Sequence, residues 1–164
     1  MSDKKIYIIG PVGSGKTTLS KKLSQKLKIK YYELDKIVWD DDNGNIKRSQ
    51  KEIDRLFNQI LATDSWIIED VGRAYFKKAI KESDIIYYIK LNKILLYTRI
   101  IKRWIKQKLN LENYNYRPTI KSLLEMFKWA KDDLKNQHLK VKELSESAKN
   151  LIILNSRTLN KLSK

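Results

Sequence analysis

Apolar residues fall along the chain in short continuous runs, separated by stretches of helical period. Ile6-Tyr7-Ile8-Ile9 is the first run, Tyr31-Tyr32 with Leu34 a weaker second, and Trp66-Ile67-Ile68 the third. Ile85-Ile86-Tyr87-Tyr88-Ile89 and Leu151-Ile152-Ile153-Leu154 complete the series. Runs that are continuous rather than alternating suit strands covered on both faces, so the pattern predicts a parallel sheet of five strands.

The intervening segments read as helices. Leu19, Leu23 and Leu27 recur at four-residue spacing after Thr17. Ser49-Gln50-Lys51-Glu52 is a capping-box pattern, in which Ser49 and Glu52 can each satisfy the other's free backbone N–H; Ile53, Leu56, Phe57, Ile60 and Leu61 follow on one face. A short helix is expected over residues 73–80, and a long one carrying Ile94, Leu95, Ile101, Trp104 and Ile105. Pro118 suits the first turn of another, whose stripe is Ile120, Leu123, Leu124, Phe127 and Leu134. These stripes, aromatics included, are read as core. Residues 40–45 form a polar turn and residues 107–116 a polar, Asn- and Tyr-rich segment, where loops that cover a substrate would sit.

Strands alternating with helices predict a doubly wound α/β fold with ligands at the carboxyl ends of the strands. Between the first strand and the first helix stands Gly10-Pro11-Val12-Gly13-Ser14-Gly15-Lys16-Thr17, which satisfies G-x-x-x-x-G-K-[ST]. Its glycines let successive backbone N–H groups turn inward onto phosphate oxygens, and the helix N-terminus adds partial positive charge. Lys16 can reach the β- and γ-phosphates, and Thr17 can coordinate Mg²⁺. The motif thus specifies a three-layer αβα P-loop NTPase fold, with Gly10, Gly13, Ser14, Gly15, Lys16, Thr17 and Thr18 around ATP.

A P-loop needs a carboxylate near the metal at the end of an adjacent strand. Glu69 and Asp70 close the third run and are not separable by sequence, whereas the fourth run ends in Lys90. Arg99, Arg103 and Arg117 flank residues 107–116, and arginine's planar fork suits a transferring phosphoryl group. Asp35, after the second run, is placed to orient or deprotonate an acceptor hydroxyl, or to serve as a simple cap. Were the acceptor a phosphate, no base would be needed, and Lys47, Arg48 or Arg73 would hold it. His138 lies in a polar stretch and is given no role.

The chain's 164 residues fit one domain. Without cysteine and with a single histidine, it has no disulfide framework, thiolate metal site or histidine cluster. The apolar start is too short for a signal or a spanning helix, so a cytoplasmic protein with no membrane partner is expected. A net charge of +16 invites a nucleic-acid partner, but only seven of the 35 basic residues are arginine, as a compositional bias toward lysine would also produce. Weak, non-specific polyanion binding is the expectation, since no RNP pattern, zinc finger or helix-turn-helix is present.

Taken together, residues 10–17, Glu33-Leu34-Asp35-Lys36-Ile37-Val38-Trp39, Trp66-Ile67-Ile68-Glu69, the Arg99 and Arg103 helix, Arg117-Pro118 and Leu154-Asn155-Ser156-Arg157 resemble the adenylate-kinase-related DNA topology modulation proteins of the FlaR type. The resemblance covers nearly the whole chain, and the L-D-x-x-x-W run is its more diagnostic part. It implies a P-loop kinase core using ATP and Mg²⁺, an adenine-contacting loop at Asn155 and Arg157, an acceptor segment near residues 35–64 and a lid near 104–118. The chain departs from it at Asp70-Val71-Gly72, where a Gly-Asn-Tyr-like stretch is expected. The expected function is transfer of the ATP γ-phosphoryl group to a small acceptor such as a nucleoside, nucleotide or similar metabolite. The alternatives are an ATP-binding nucleic-acid regulator and a degenerate kinase that binds nucleotide without turnover.

Overall fold

All five apolar runs form strands of one parallel sheet in the computed structural model, which describes residues 4–40, 43–112 and 118–162. β1 (Lys5–Ile9), β2 (Tyr31–Glu33), β5 (Trp66–Asp70), β6 (Ile85–Ile89) and β7 (Leu151–Leu154) lie in the order β2-β5-β1-β6-β7. β3 (Trp39–Asp40) and β4 (Ile46–Lys47) make a separate antiparallel hairpin around the polar turn, of which Asp41 and Asp42 lie outside the described residues.

Successive side chains of the central strands point to opposite faces, and each face has its own core. Tyr7, Ile9, Trp66, Ile68, Ile86 and Tyr88 enter one, closed by α2 (Leu34–Val38), α3 (Gln50–Leu61), α4 (Lys77–Glu82) and α7 (Gln137–Ser147). Ile6, Ile8, Ile67 and Ile89 enter the other, closed by α1 (Lys16–Leu27), α5 (Lys93–Lys108), α6 (Ile120–Lys135) and α8 (Ser156–Leu162). Each fully buried isoleucine contributes about 1.5–3 kcal/mol relative to exposure, and the three layers follow from that two-sided burial.

Several local expectations are corrected. Leu34, grouped with the second strand by its apolarity, instead opens α2. The capping box of α3 is only half formed: Ser49 Oγ accepts from Glu52 N at 3.3 Å, while the Glu52 carboxylate turns to Arg55 Nε at 2.8 Å and Nη2 at 2.7 Å. Residues 73–80 split into a 3-10 turn, Ala74–Phe76, and α4. Pro118 stands ahead of the N-cap of α6 rather than in its first turn, because Thr119 and Ser122 make a reciprocal capping box. The buried stripe of α5 and α6 runs through Leu96, Ile100, Met126 and Ala130, leaving Ile94, Ile101, Ile105, Ile120 and Leu124 exposed. α7, whose residues have little amphipathic pattern, escaped the periodicity reading, and His138 is exposed on it.

Candidate active site

The sheet order seats the turn after β1 between the ends of β5 and β6, and α1 starts at Lys16 directly beyond it. Gly13 and Gly15 adopt φ of 75° and 97°, a left-handed backbone that curls the amides into a nest. A Cβ on Gly13 would also stand 2.9 Å from Ile100 Cγ1 of the α5 helix packed beneath. Gly13→Ala therefore combines backbone strain with a clash, and about 2 kcal/mol or more of stability should be lost together with nucleotide affinity. Thermal melting and an ATP titration check this; a variant that melts and binds like the parent would contradict it.

Lys16 is folded back onto the nest, its Nζ donating to the carbonyls of Gly10 and Pro11 at 2.9 Å each. Burial pulls its pKa below the usual lysine value, against the raising influence of Glu69 first and of Asp35, Asp70 and Asp133 after it. Thr17 Oγ1 donates to Glu69 Oε1 at 2.7 Å, while the buried Glu69 Oε2 has no partner. Burial pushes the Glu69 carboxyl up to about 7, with Lys16 and Thr17 opposing.

Asp70 has the contrary environment. Its Oδ2 accepts from Gly72 N at 2.7 Å, Arg73 N at 2.6 Å and the Tyr7 hydroxyl at 3.4 Å. Arg73 Nη1 donates to its Oδ1, and Arg73 Nη2 donates onward to Asp35. The two acids thus separate: Glu69 is an underused carboxylate beside the Thr17 hydroxyl, and Asp70 is consumed in holding the Gly72 turn and Arg73.

A cleft of about 770 Å³ opens over the nest and is lined by Thr18, Lys21, Lys36, Arg103, Leu159 and Asn160, among others. Arg99 also lines it and is latched to the nest, its Nη1 donating to Ser14 O at 2.7 Å. Arg103 pairs with Glu112 at 3.4 Å and is half exposed. Arg117 lies outside the described residues. Ser14 Oγ is buried without a partner under the nest. Asn155 is occupied as the cap of α8, its Oδ1 accepting from Arg157 N and Thr158 N at 3.0 Å each. Leu159 and Asn160, one turn on, are the α8 residues that line the cleft; sequence reading passed over them and over Lys21 because no motif singles them out. Arg48 is likewise engaged, donating to the carbonyls of Lys36 and Trp39 at 2.7 Å each and pairing with Asp40 at 3.0 Å.

The donor set fits Mg²⁺ bound with nucleotide. A threonine hydroxyl and an orphaned carboxylate oxygen offer two hard oxygen ligands, the remainder coming from phosphates and water. Among the described residues there is no group of three or more His, Cys, Asp or Glu that could hold a metal by itself. None of the described helices is long and apolar enough to cross a membrane.

The family AAA_18, described as AAA domain, matches residues 6–121. Shikimate kinase of Legionella pneumophila (strain Corby) is 31% identical over 81 residues, which cover 40% of this chain and 46% of that protein. The chain thus spans about half the length of that relative. Shikimate kinase of Sulfurihydrogenibium sp. (strain YO3AOP1) is 25% identical over 150 residues, 81% of each chain. Among solved structures, shikimate kinase from Acinetobacter baumannii in complex with shikimate superposes with a TM-score of 0.61 at 19% identity, covering 98% of this chain and 88% of that one. A gluconokinase from Sinorhizobium meliloti 1021 gives 0.55 at 11% identity, with 99% and 88% covered. At these identities the structural likeness establishes the three-layer fold.

Proposed function

The chain belongs to the AAA domain family, and from that premise we propose that it is an ATP-dependent kinase transferring the γ-phosphoryl group to a hydroxyl of a small metabolite. The observation that carries the reading is the Thr17 hydroxyl held on the buried Glu69 carboxylate, with Lys16 folded onto the Gly10 and Pro11 carbonyls of the same glycine nest. The likeness to small-metabolite kinases supports the same reaction class.

The chain's residues divide the work as follows. The amides of residues 13–17 and the start of α1 bind the phosphates, with Gly10 and Ser14 shaping the turn. Lys16 leaves the Gly10 and Pro11 carbonyls for the β- and γ-phosphate oxygens. Thr17 and Glu69 would hold Mg²⁺, which would supply positive charge to offset that of the phosphates; Asp70 is left to position the Gly72 turn. Arg99 and Arg103 line the phosphate cleft, and with Arg117 they stabilise charge on the phosphoryl group in flight. Leu159 and Asn160, more than Asn155 and Arg157, face the nucleotide. Asp35 is the base or orienting group for the acceptor hydroxyl.

A hydroxyl is favoured over a phosphate acceptor because Arg48 and Arg73, the arginines available to hold a phosphate, are each paired with carboxylates. Transfer of labelled phosphate across a metabolite panel, with Lys16→Ala as the blank, tests the reaction. In the same assay Asp35→Asn should cut kcat on the order of 10²-fold or more; unchanged turnover removes the base assignment. The FlaR-type resemblance itself implies a P-loop kinase core, and nothing among the described residues favours a DNA regulator over a kinase. Duplex DNA affinity should therefore be sequence-independent and drop by roughly 10³-fold between 50 and 200 mM salt if several lysines contact phosphates. Affinity that is sequence-selective and survives that salt step would reverse the preference.

A further inference from the structure

Beyond the carboxyl end of β5 the Gly72 turn carries a second cluster of charges, set apart from the nucleotide nest. Arg73 spans Asp70, whose side chain is 0% exposed, and Asp35, which is 58% exposed. From the other side Lys140 of α7 reaches the same turn: its Nζ donates to Val71 O at 3.2 Å and would lie 3.9 Å from a Cβ on Gly72. Lys140 is itself paired with Asp133 of α6. Asp70 is the register partner of Ile9, the residue before the Gly10 turn, and a Cβ on Gly72 would stand 3.3 Å from Ile9 Cγ2, so the cluster adjoins the nest at the same edge of the sheet.

Both cations are therefore already neutralised, and three carboxylates stand against two cations in this cluster. An incoming carboxylate or phosphate would have to break an ion pair and leave an acid uncompensated, at a cost that a neutral ligand avoids. The exposed edge of Asp35 offers an acceptor for a hydroxyl or ammonium proton without any such displacement.

Resting on the kinase reading and narrowing it, we infer that this wall selects a hydroxyl-bearing acceptor that is neutral or carries an amine, and rejects acceptors bearing a carboxylate or phosphate. In the transfer the acceptor hydroxyl oxygen forms a bond to the γ-phosphorus while the bond to the β,γ-bridging oxygen breaks. ADP leaves with that electron pair, and the hydroxyl proton passes to the Asp35 carboxylate. Asp133 is then a specificity residue: by neutralising Lys140 it withholds an amine that could otherwise grip an acid.

Matched pairs test this without knowledge of the natural acceptor: glucose against gluconate, and cytidine against cytidine monophosphate. Each is measured by phosphoryl transfer from Mg·ATP and, independently, by calorimetric binding to the protein held with Mg·ADP. Wild type should prefer the neutral member of each pair by about 100-fold or more. Asp133→Asn, which frees Lys140, should move both ratios toward the acid by about 10-fold, and Lys140→Gln should move them the opposite way. Loss of packing alone would not shift the two variants in opposite directions. Preference of wild type for the acid of either pair, or ratios that the two substitutions leave unchanged, overturns the inference while the kinase reading stands. Binding ratios as expected, with no transfer above the Lys16→Ala blank to these four or to any member of the metabolite panel, overturn the kinase reading instead.

Discussion

Glu69→Gln should make the metal-free protein more stable at pH 8 while removing Mg²⁺-dependent turnover, two large effects of opposite sign from one atom. The native carboxyl titrates near 7, whereas its ordinary value is 4.5. Below pH 4.5 folded and unfolded chains both carry the proton; between 4.5 and 7 the folded chain keeps a proton that the unfolded chain has lost. Stability contributed by this group is thus full at low pH and falls as pH rises through that window, by up to about 3 kcal/mol. Glu69 is 6% exposed, so solvent screening takes little away. The glutamine has no charge to desolvate and keeps an oxygen for the Thr17 hydroxyl, which should raise Tm at pH 8 by roughly 5–10 °C and flatten its dependence between pH 5 and 8. Lys16, whose pKa is lowered by burial, contributes in the opposite sense, its stabilisation growing as pH rises. In the presence of Mg·ATP the ranking should invert, because only the carboxylate supplies charge to the metal, and kcat should drop on the order of 10²-fold or more. Melting curves from pH 5 to 8, with and without Mg²⁺ and nucleotide, check both halves. A Glu69→Gln protein that melts below wild type at pH 8 and keeps its turnover would contradict them.

Lys16→Ala should abolish transfer, by on the order of 10³-fold in kcat/KM, since a cation on the β- and γ-phosphates acts mainly in the transition state. The empty protein should respond more mildly. Two carbonyls, Gly10 O and Pro11 O, lose their donor, but a buried ammonium is also removed. A diagnostic consequence lies next door: Lys16 holds the Glu69 carboxyl down, so its loss should raise that carboxyl further above 7. The acid-side stability window of the variant should extend to higher pH by the same amount, readable in the same melting series. A variant with normal turnover, or with an unmoved window, would separate Lys16 from the site.

How far the sequence discloses this site depends on the kind of signal. The nest is legible because its glycines and lysine sit at fixed spacing between a strand and a helix, and backbone geometry leaves few alternatives. Glu69 and Asp70 were not separable as neighbours of one chemistry, yet strand parity distinguishes them. Glu69 shares a face with Ile67, on the side of α1 and Thr17, while Asp70 shares one with Trp66 and Ile68, on the side of Tyr7. The ion pairs of Arg73 and Lys140 join residues 38 and 7 positions apart across different elements, and no periodicity encodes such encounters. On α5 and α6 an isoleucine-rich composition produced apolar stripes wider than the core could cover, so Ile94 and Ile120 are 81% and 67% exposed. Asn155 was assigned to the nucleotide by resemblance, but its amide oxygen is held by the first amides of α8, a use that the residue type predicts equally well.

The central claim is that the turn after β1 binds a triphosphate through Lys16, with Thr17 and Glu69 on its metal. Isothermal titration of wild type and Lys16→Ala with a non-hydrolysable ATP analogue, with and without Mg²⁺, tests it most directly. The expected result is wild-type affinity that rises about 10-fold or more when Mg²⁺ is added and is lost in the variant. Binding that is indifferent to Mg²⁺ and equal in the two proteins would contradict it.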